Sequence, residues 1–171
     1  VEQAAASYIS GEKGVETAED AVQGAMDILA ERISDNAVYR TWIRNMTMNK
    51  GLLQSAAKDE SVKSVYETYY NYEEPVKKAA GHRILALNRG EGEKILSVKV
   101  VPLVDQIVGY LEKQVITRDN PYTSPVLKTV VKDSYDRLIG PSVEREIRSE
   151  ITEKAEEGAI RVFGKNLEQL L

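Results

Sequence analysis

The last thirty residues limit the fold most. From Ser142 to Leu171, apolar side chains recur at Val143, Ile147, Ile151, Ala155, Ala159, Val162, Phe163, Leu167 and Leu170. That is the three-to-four spacing of one helix face, and a continuous helix over 142–171 would run roughly 45 Å. Glu144 with Arg148, Glu150 with Lys154, and Glu157 with Arg161 sit four apart in the favourable order, each pair adding a few tenths of a kcal/mol on a solvated face. Gly158 is the expected bend, costing about 1 kcal/mol relative to alanine.

The rest of the chain reads as shorter helices around one strand pair. After a polar entry from Ser10 to Gly14, Thr17 and Asp20 form a capping box that opens a helix with Ala18, Ala21, Val22, Ala25, Met26, Leu29 and Ile33 on one face. Gly24 and Ala25 are small enough to sit under a closely packed neighbour. Ser34 or Asp35 is expected to cap a second helix carrying Val38, Trp42, Ile43 and Met46, which ends near Asn49-Lys50-Gly51. Asp59 to Tyr72 reads as a helix with Val62, Val65, Tyr66, Tyr69 and Tyr70 on one side, and Pro75 restarts the chain.

Gly81 and Gly90 bracket His82 to Arg89, whose Ile84, Leu85 and Leu87 permit a helix of about two turns or a buried strand; helix is favoured, with Gly90 placed as its left-handed terminator. Residues 95–101 alternate as a strand, stopped by Pro102, and 52–56 is the best partner. Helical spacing returns at Leu103–Val115, and again from Val126 to Ile139, where Gly140-Pro141-Ser142 separates it from the long final helix. The fold class is therefore mainly α, a multi-helix scaffold with a minor two-stranded element at about 52–56 with 95–101. It reads as one scaffold, 1–171, whose natural sub-division is 1–101, helices plus small sheet, and 102–171, a helical segment.

Several function classes fall away on composition. At 171 residues the chain buries enough surface to fold without staples. It has no cysteine, which excludes disulfides and thiolate sites and fits the cytosol. It carries neither a membrane-length apolar run nor a signal-like start, and the missing initiator methionine suggests a cut chain. The net charge of −4 hides a polarity. Residues 15–35 hold six carboxylates against Arg32 alone, whereas 77–99 hold Lys77, Lys78, Arg83, Arg89, Lys94 and Lys99 against Glu91 and Glu93.

Catalytic chemistry finds no constellation. Gly90-Glu91-Gly92-Glu93-Lys94 has glycines and a lysine, but its carboxylates would repel phosphate. His82, the only histidine, has no carboxylate or hydroxyl near it in sequence and reads as a capping or packing residue. Trp42 reads as core. No catalytic residue, metal site or cofactor is expected. The six basic residues of 77–99 are the candidates for nucleic-acid contact. His82, Tyr66, Tyr69 and Tyr70 are the candidates for packing against a neighbouring domain.

Three blocks carry a resemblance: Glu19-Asp-Ala-Val-Gln-Gly-Ala-Met-Asp-Ile-Leu-Ala-Glu-Arg-Ile-Ser34, His82-Arg-Ile-Leu-Ala-Leu-Asn-Arg-Gly-Glu91, and the run from Asp136 to Glu157 through Gly140-Pro141. Together they resemble the Tex family, bacterial transcription accessory proteins with an RNA-binding S1 domain, over nearly the whole chain. The resemblance implies a non-enzymatic fragment of a longer multidomain protein, from a helical scaffold with helix-turn-helix-like elements. It also implies that such a region precedes a ribonuclease-H-like domain, helix-hairpin-helix modules and the S1 domain. The implied partners are other domains of the parent, DNA or RNA, and the transcription machinery, with no membrane. Nucleic-acid affinity would sit mostly at the S1 end.

Overall fold

The structure is a computed structural model and describes residues 1–11, 14 and 16–171. Part of the expected polar entry, Glu12 and Lys13, lies outside the described residues, as does Val15. The elements in chain order are α1 (Glu2–Ala5), a 3-10 turn (Ala6–Tyr8), α2 (Ala18–Asp35), α3 (Ala37–Lys50) and β1 (Leu52–Ala57). A 3-10 turn (Glu67–Tyr69), β2 (Asn71–Pro75), a further 3-10 turn (Val76–Lys78), α4 (Gly81–Gly92) and β3 (Leu96–Val101) follow. The chain ends with α5 (Val104–Val115), α6 (Ser124–Asp133), a π-helical stretch (Ser134–Ile139) and α7 (Gly140–Leu170). The protein is mainly α, with a small antiparallel sheet and a long C-terminal helix. Its contacts form two units, Val1–Ile43 with Val104–Ser142, and Arg44–Leu103 with Val143–Leu171.

In the first unit, the capping box opens α2 as the sequence requires: Asp20 N–H donates to Thr17 Oγ1 at 3.1 Å, and Thr17 N–H donates to Asp20 Oδ2 at 3.1 Å. Ser34 and Asp35 do not cap α3. Both belong to α2, and Asn36 takes the role, its Oδ1 accepting from Tyr39 N–H at 3.1 Å, because asparagine can leave helical geometry and still satisfy a free amide. The core holds Ala30, Ile33, Ile107, Leu111, Val130, Val131, Tyr135 and Ile139. Ser134 is buried among them and donates to Ala30 O at 2.6 Å. Val38 is exposed rather than packed. Trp42 is half-buried and stacks on Tyr110 at 3.8 Å between ring centres. Ala25 is exposed, and no described atom lies within 4 Å of where a Gly24 Cβ would stand, so the expected close packing over these small residues is not seen among the described residues.

Gly140-Pro141-Ser142 does not separate two helices. Helical structure runs unbroken from Ser124 to Leu170. Pro141 has no N–H to continue an α ladder and its ring would crowd the carbonyl four residues back. Just before it the ladder widens to π spacing, Gly140 N–H donating to Tyr135 O. Glycine suits position 140 because a Cβ there would lie 3.0 Å from that same carbonyl oxygen, closer than side chains ordinarily sit.

The second unit is built on a three-stranded antiparallel sheet of order β2-β1-β3. The expected β1 and β3 pair, in the register Leu53↔Val100 and Ser55↔Val98. A third strand, β2, lies where the sequence suggested the end of a helix. Asp59–Tyr72 is not helical: it forms turns, the 3-10 turn and the start of β2, and Val65 is 87% exposed. Local bonds replace the expected helix face. Tyr70 Oη reaches Val62 O and Ser64 Oγ, closing the loop, and Ser55 Oγ donates to Tyr69 O at 2.6 Å.

β3 is an edge strand whose free backbone groups are met by α7 side chains. Val100 N–H donates to Glu144 Oε1 at 2.9 Å, and Arg148 donates to Val98 O at 3.0 Å. Glu144 and Arg148 are therefore not a solvated pair; they cover an edge that would otherwise invite another strand. Arg148 also donates to Asn88 Oδ1 at 3.1 Å and pairs with Glu91 at 2.5 Å, while Asn88 Nδ2 donates to Thr152 Oγ1 at 2.8 Å. Lys154 does pair with Glu150 along the helix at 2.8 Å.

Gly90 does not terminate α4. It lies inside the helix, which continues to Gly92, and the one described non-glycine residue with positive φ is Lys94, at 61°. Gly90 is buried, and a Cβ on it would fall 2.5 Å from Leu96 Cδ1, 2.9 Å from Leu96 Cγ and 3.2 Å from the Tyr66 ring. Glycine is there so that α4 can lie close to β3. Gly90→Ala should lower the thermal midpoint, since overpacking a fully buried leucine costs about 1–3 kcal/mol and outweighs a helix-propensity gain of about 1 kcal/mol. Gly92→Ala, with open space at its Cβ, should raise the midpoint.

Candidate functional site

The sequence-derived candidates all fall in the second unit, around α4 and the sheet. Lys77 and Lys78 lie together on the exposed 3-10 turn before α4, and His82, its second residue, is exposed beside them. Arg89 and Lys94 lie at the other end of the helix with Glu91 and Glu93, roughly 15 Å along the axis. Lys99 is elsewhere: on β3 it alternates with buried Val98 and Val100 and stands in register with Gln54 and, beyond it, Glu73, on the outer face of the sheet. The six basic side chains thus form two small clusters, one isolated lysine and one internal ion pair.

That ion pair belongs to Arg83. Its Nε and one terminal nitrogen donate to the two carboxylate oxygens of Glu74 at 3.0 and 2.9 Å, a bidentate fork of the strong kind. Glu74 lies on the inner face of β2, in register with buried Leu53, so Arg83 ties α4 to the sheet. The Glu74 carboxylate holds the guanidinium pKa above its usual value. A phosphate would have to displace an existing partner to reach it.

Of the tyrosines, Tyr66 is buried within its own unit, its ring against the Gly90 position and its Oη donating to Glu93 Oε1 at 2.8 Å. Burial, then the Glu93 bond, push its phenol pKa up. Tyr70 closes its loop and Tyr69 meets Tyr72 edge to face at 5.2 Å. Burial first, and then the hydrogen bond to Glu74, push the Tyr72 phenol up to about 12. Glu74 gives no helical or apolar signal, which is why sequence reasoning passes over it; Tyr72 reads in sequence as the end of a helix and part of its tyrosine cluster, not as a strand residue.

A different surface stands out on α7. Val143, Ile147, Ile151, Ala155, Ala159, Phe163 and Leu167 follow one another at intervals of four, a row that slants around α7 rather than keeping to one side. The first four are buried, whereas Phe163 is 68% and Leu167 48% exposed, with Ile160 and Leu170 also bare. Four-spacing was legible in the sequence; which half would be covered was not.

Among the described residues no cluster of histidine and acidic side chains could hold a metal, and no helix is long and apolar enough to cross a membrane. The unfolded chain ionises Tyr72 near pH 10, so stability held by the neutral phenol is complete below that and drains away as pH rises towards 12. Tyr72→Phe should therefore lose less urea resistance between pH 10 and 12 than the unsubstituted chain.

Comparison with known proteins gives this geometry its setting. Residues 1–163 match the family model described as Tex central region-like. The chain is 50% identical over 167 residues to the uncharacterized protein YdcI of Bacillus subtilis, covering 96% of this chain and 23% of that one. It is 33% identical to the human S1 RNA-binding domain-containing protein 1, over 96% of this chain and 18% of that protein. It is 29% identical to the transcriptional accessory protein Tex of Neisseria gonorrhoeae, over 100% and 23% respectively. The chain thus spans about a quarter or less of the length of these relatives. On the family match over 1–163, the chain belongs to the Tex family and corresponds to its central region.

Proposed function

We propose that the chain is a non-enzymatic scaffold of a Tex-like transcription accessory protein, holding other parts of the parent by the bare half of α7. The observation that carries this reading is the change in burial along α7: Val143, Ile147, Ile151 and Ala155 are packed, whereas Ile160, Val162, Phe163, Leu167 and Leu170 are exposed. Large apolar side chains gathered on one exposed stretch of helix are a mark of a contact surface. The family match supplies the context, a region that in its relatives is part of a protein about four times longer.

Nucleic-acid contact by this chain is auxiliary in the same reading. The contacts would come from Lys77 and Lys78 at one end of α4 and from Arg89 and Lys94 at the other, with Lys99 apart and Arg83 engaged by Glu74. Charges so divided on a chain of net charge −4 neutralise few phosphates, and affinity follows that number. Titration against single- and double-stranded DNA and RNA should show weak binding at 50 mM salt that is gone by about 200 mM, and Lys77→Glu with Lys78→Glu should weaken it. No binding at 50 mM would remove nucleic acid from the account and leave the packing role alone. In the full-length parent, Phe163→Asp with Leu167→Asp should increase cleavage by limited proteolysis without lowering the stability of this chain by itself; unchanged cleavage would remove the packing role.

A further inference from the structure

The first unit holds an apolar groove that the scaffold reading does not use. It has a volume of about 770 Å³ and runs along α2, with Ala21, Ala25, Ile28 and Leu29 as its floor. Its walls are α1 with Tyr8 on one side and Val126 with Leu127 of α6 on the other. Tyr8 and Ile28 are more than half exposed, so the groove stands open with room for several large side chains.

The charge along the α2 side of its border is mostly negative. Asp20, whose carboxylate also accepts the capping amides of Glu16 and Thr17, lines it, and beyond the lining Glu31 and Asp35 follow Ile28 at three and seven residues, on the same side of α2 and both exposed. Arg32 is the one cation among them. Residues 15–35 as a whole carry six carboxylates against that arginine. This border repels nucleic acid and anionic lipid surfaces and favours a cationic protein partner.

The floor also selects the shape of the occupant. Ala21 and Ala25, with Gly24 beside them open at its Cβ position, leave a shallow trough between longer side chains on α2, the kind of surface into which another helix sets its ridge. No lining residue lies in a β-strand, so among the described residues the groove offers an extended segment no strand edge.

We propose that this groove is the docking site for an amphipathic helix of a protein partner, with apolar residues at i, i+3 or i+4 and i+7 entering the trough and lysine or arginine on its flanks facing Asp20, Glu31 and Asp35. The pattern is helix-in-groove recognition, with the acidic border setting which helices are accepted.

Two synthetic peptides of about 15 residues test it, each with leucines at that spacing, one with lysine flanks and one with glutamate flanks. By fluorescence anisotropy against the whole chain, the lysine peptide should bind at least about tenfold tighter at low salt, the advantage shrinking as salt rises. Ala25→Arg, at an exposed floor position, should abolish binding with an unchanged circular dichroism spectrum. Glu31→Lys with Asp35→Lys, which places cations near the end of α2 where the helix dipole favours them, should reverse the preference between peptides and keeps the test informative should Ala25→Arg disturb the fold. Equal binding of both peptides, no binding of either, or binding that survives Ala25→Arg overturns the proposal. So does self-association of the chain that Ala25→Arg disperses, which would assign the groove to a second copy.

Discussion

The second unit depends on how its sheet edge is closed. A three-stranded sheet leaves two open edges, and β3 carries its free carbonyl and amide at Val98 and Val100 toward α7. Glu144 accepts from one and Arg148 donates to the other. Two side chains one helical turn apart thus do what a fourth strand would do. They also fix the rotation of α7, so Val143, Ile147 and Ile151 are directed into the core, worth about 1.5–3 kcal/mol each when fully buried. With the rotation set, α4 is brought in as well. Arg148 and Thr152 engage Asn88, and Gly81 allows α4 to approach Ala155, whose Cα would lie 3.3 Å from a Cβ at that glycine.

Much of this was legible. The long final helix, the α2 capping box and the pairing of β1 with β3 rest on local patterns that survive packing. β2 was not legible because Asn71-Tyr-Glu-Glu-Pro75 has no apolar alternation; its inward residues are Tyr72 and Glu74, which are satisfied by Arg83 and one another rather than by hydrophobic burial. The preceding Val62, Val65, Tyr66, Tyr69 and Tyr70 imitate helical spacing, yet their hydroxyls and the turn at Ser61, whose amide bonds Asp59, favour a loop. Gly90 and Gly140 look like terminators in sequence. Both are instead close-contact positions within helices, set by Leu96 and Tyr66 in one case and by the π-spaced carbonyl of Tyr135 in the other.

The candidate site was legible only as residue types. Six basic residues close in sequence become two clusters, an ion pair and a lysine on the opposite sheet face, because α4 has two ends and a strand alternates its sides. Two apolar surfaces remain open among the described residues, one along the second half of α7 and one along α2. The chain spans about a quarter or less of its Tex-family relatives, and of these two faces the proposed scaffold role draws on the one along α7.

Amide hydrogen exchange along α7 tests this account most directly, comparing the chain alone with the full-length parent. In the chain alone, residues 143–155 should exchange as slowly as β1 and β3, while 159–170 exchange much faster; in the parent, 159–170 should become as protected as the first half. Equal protection of both halves in the chain alone, or no gain over 159–170 in the parent, would contradict it.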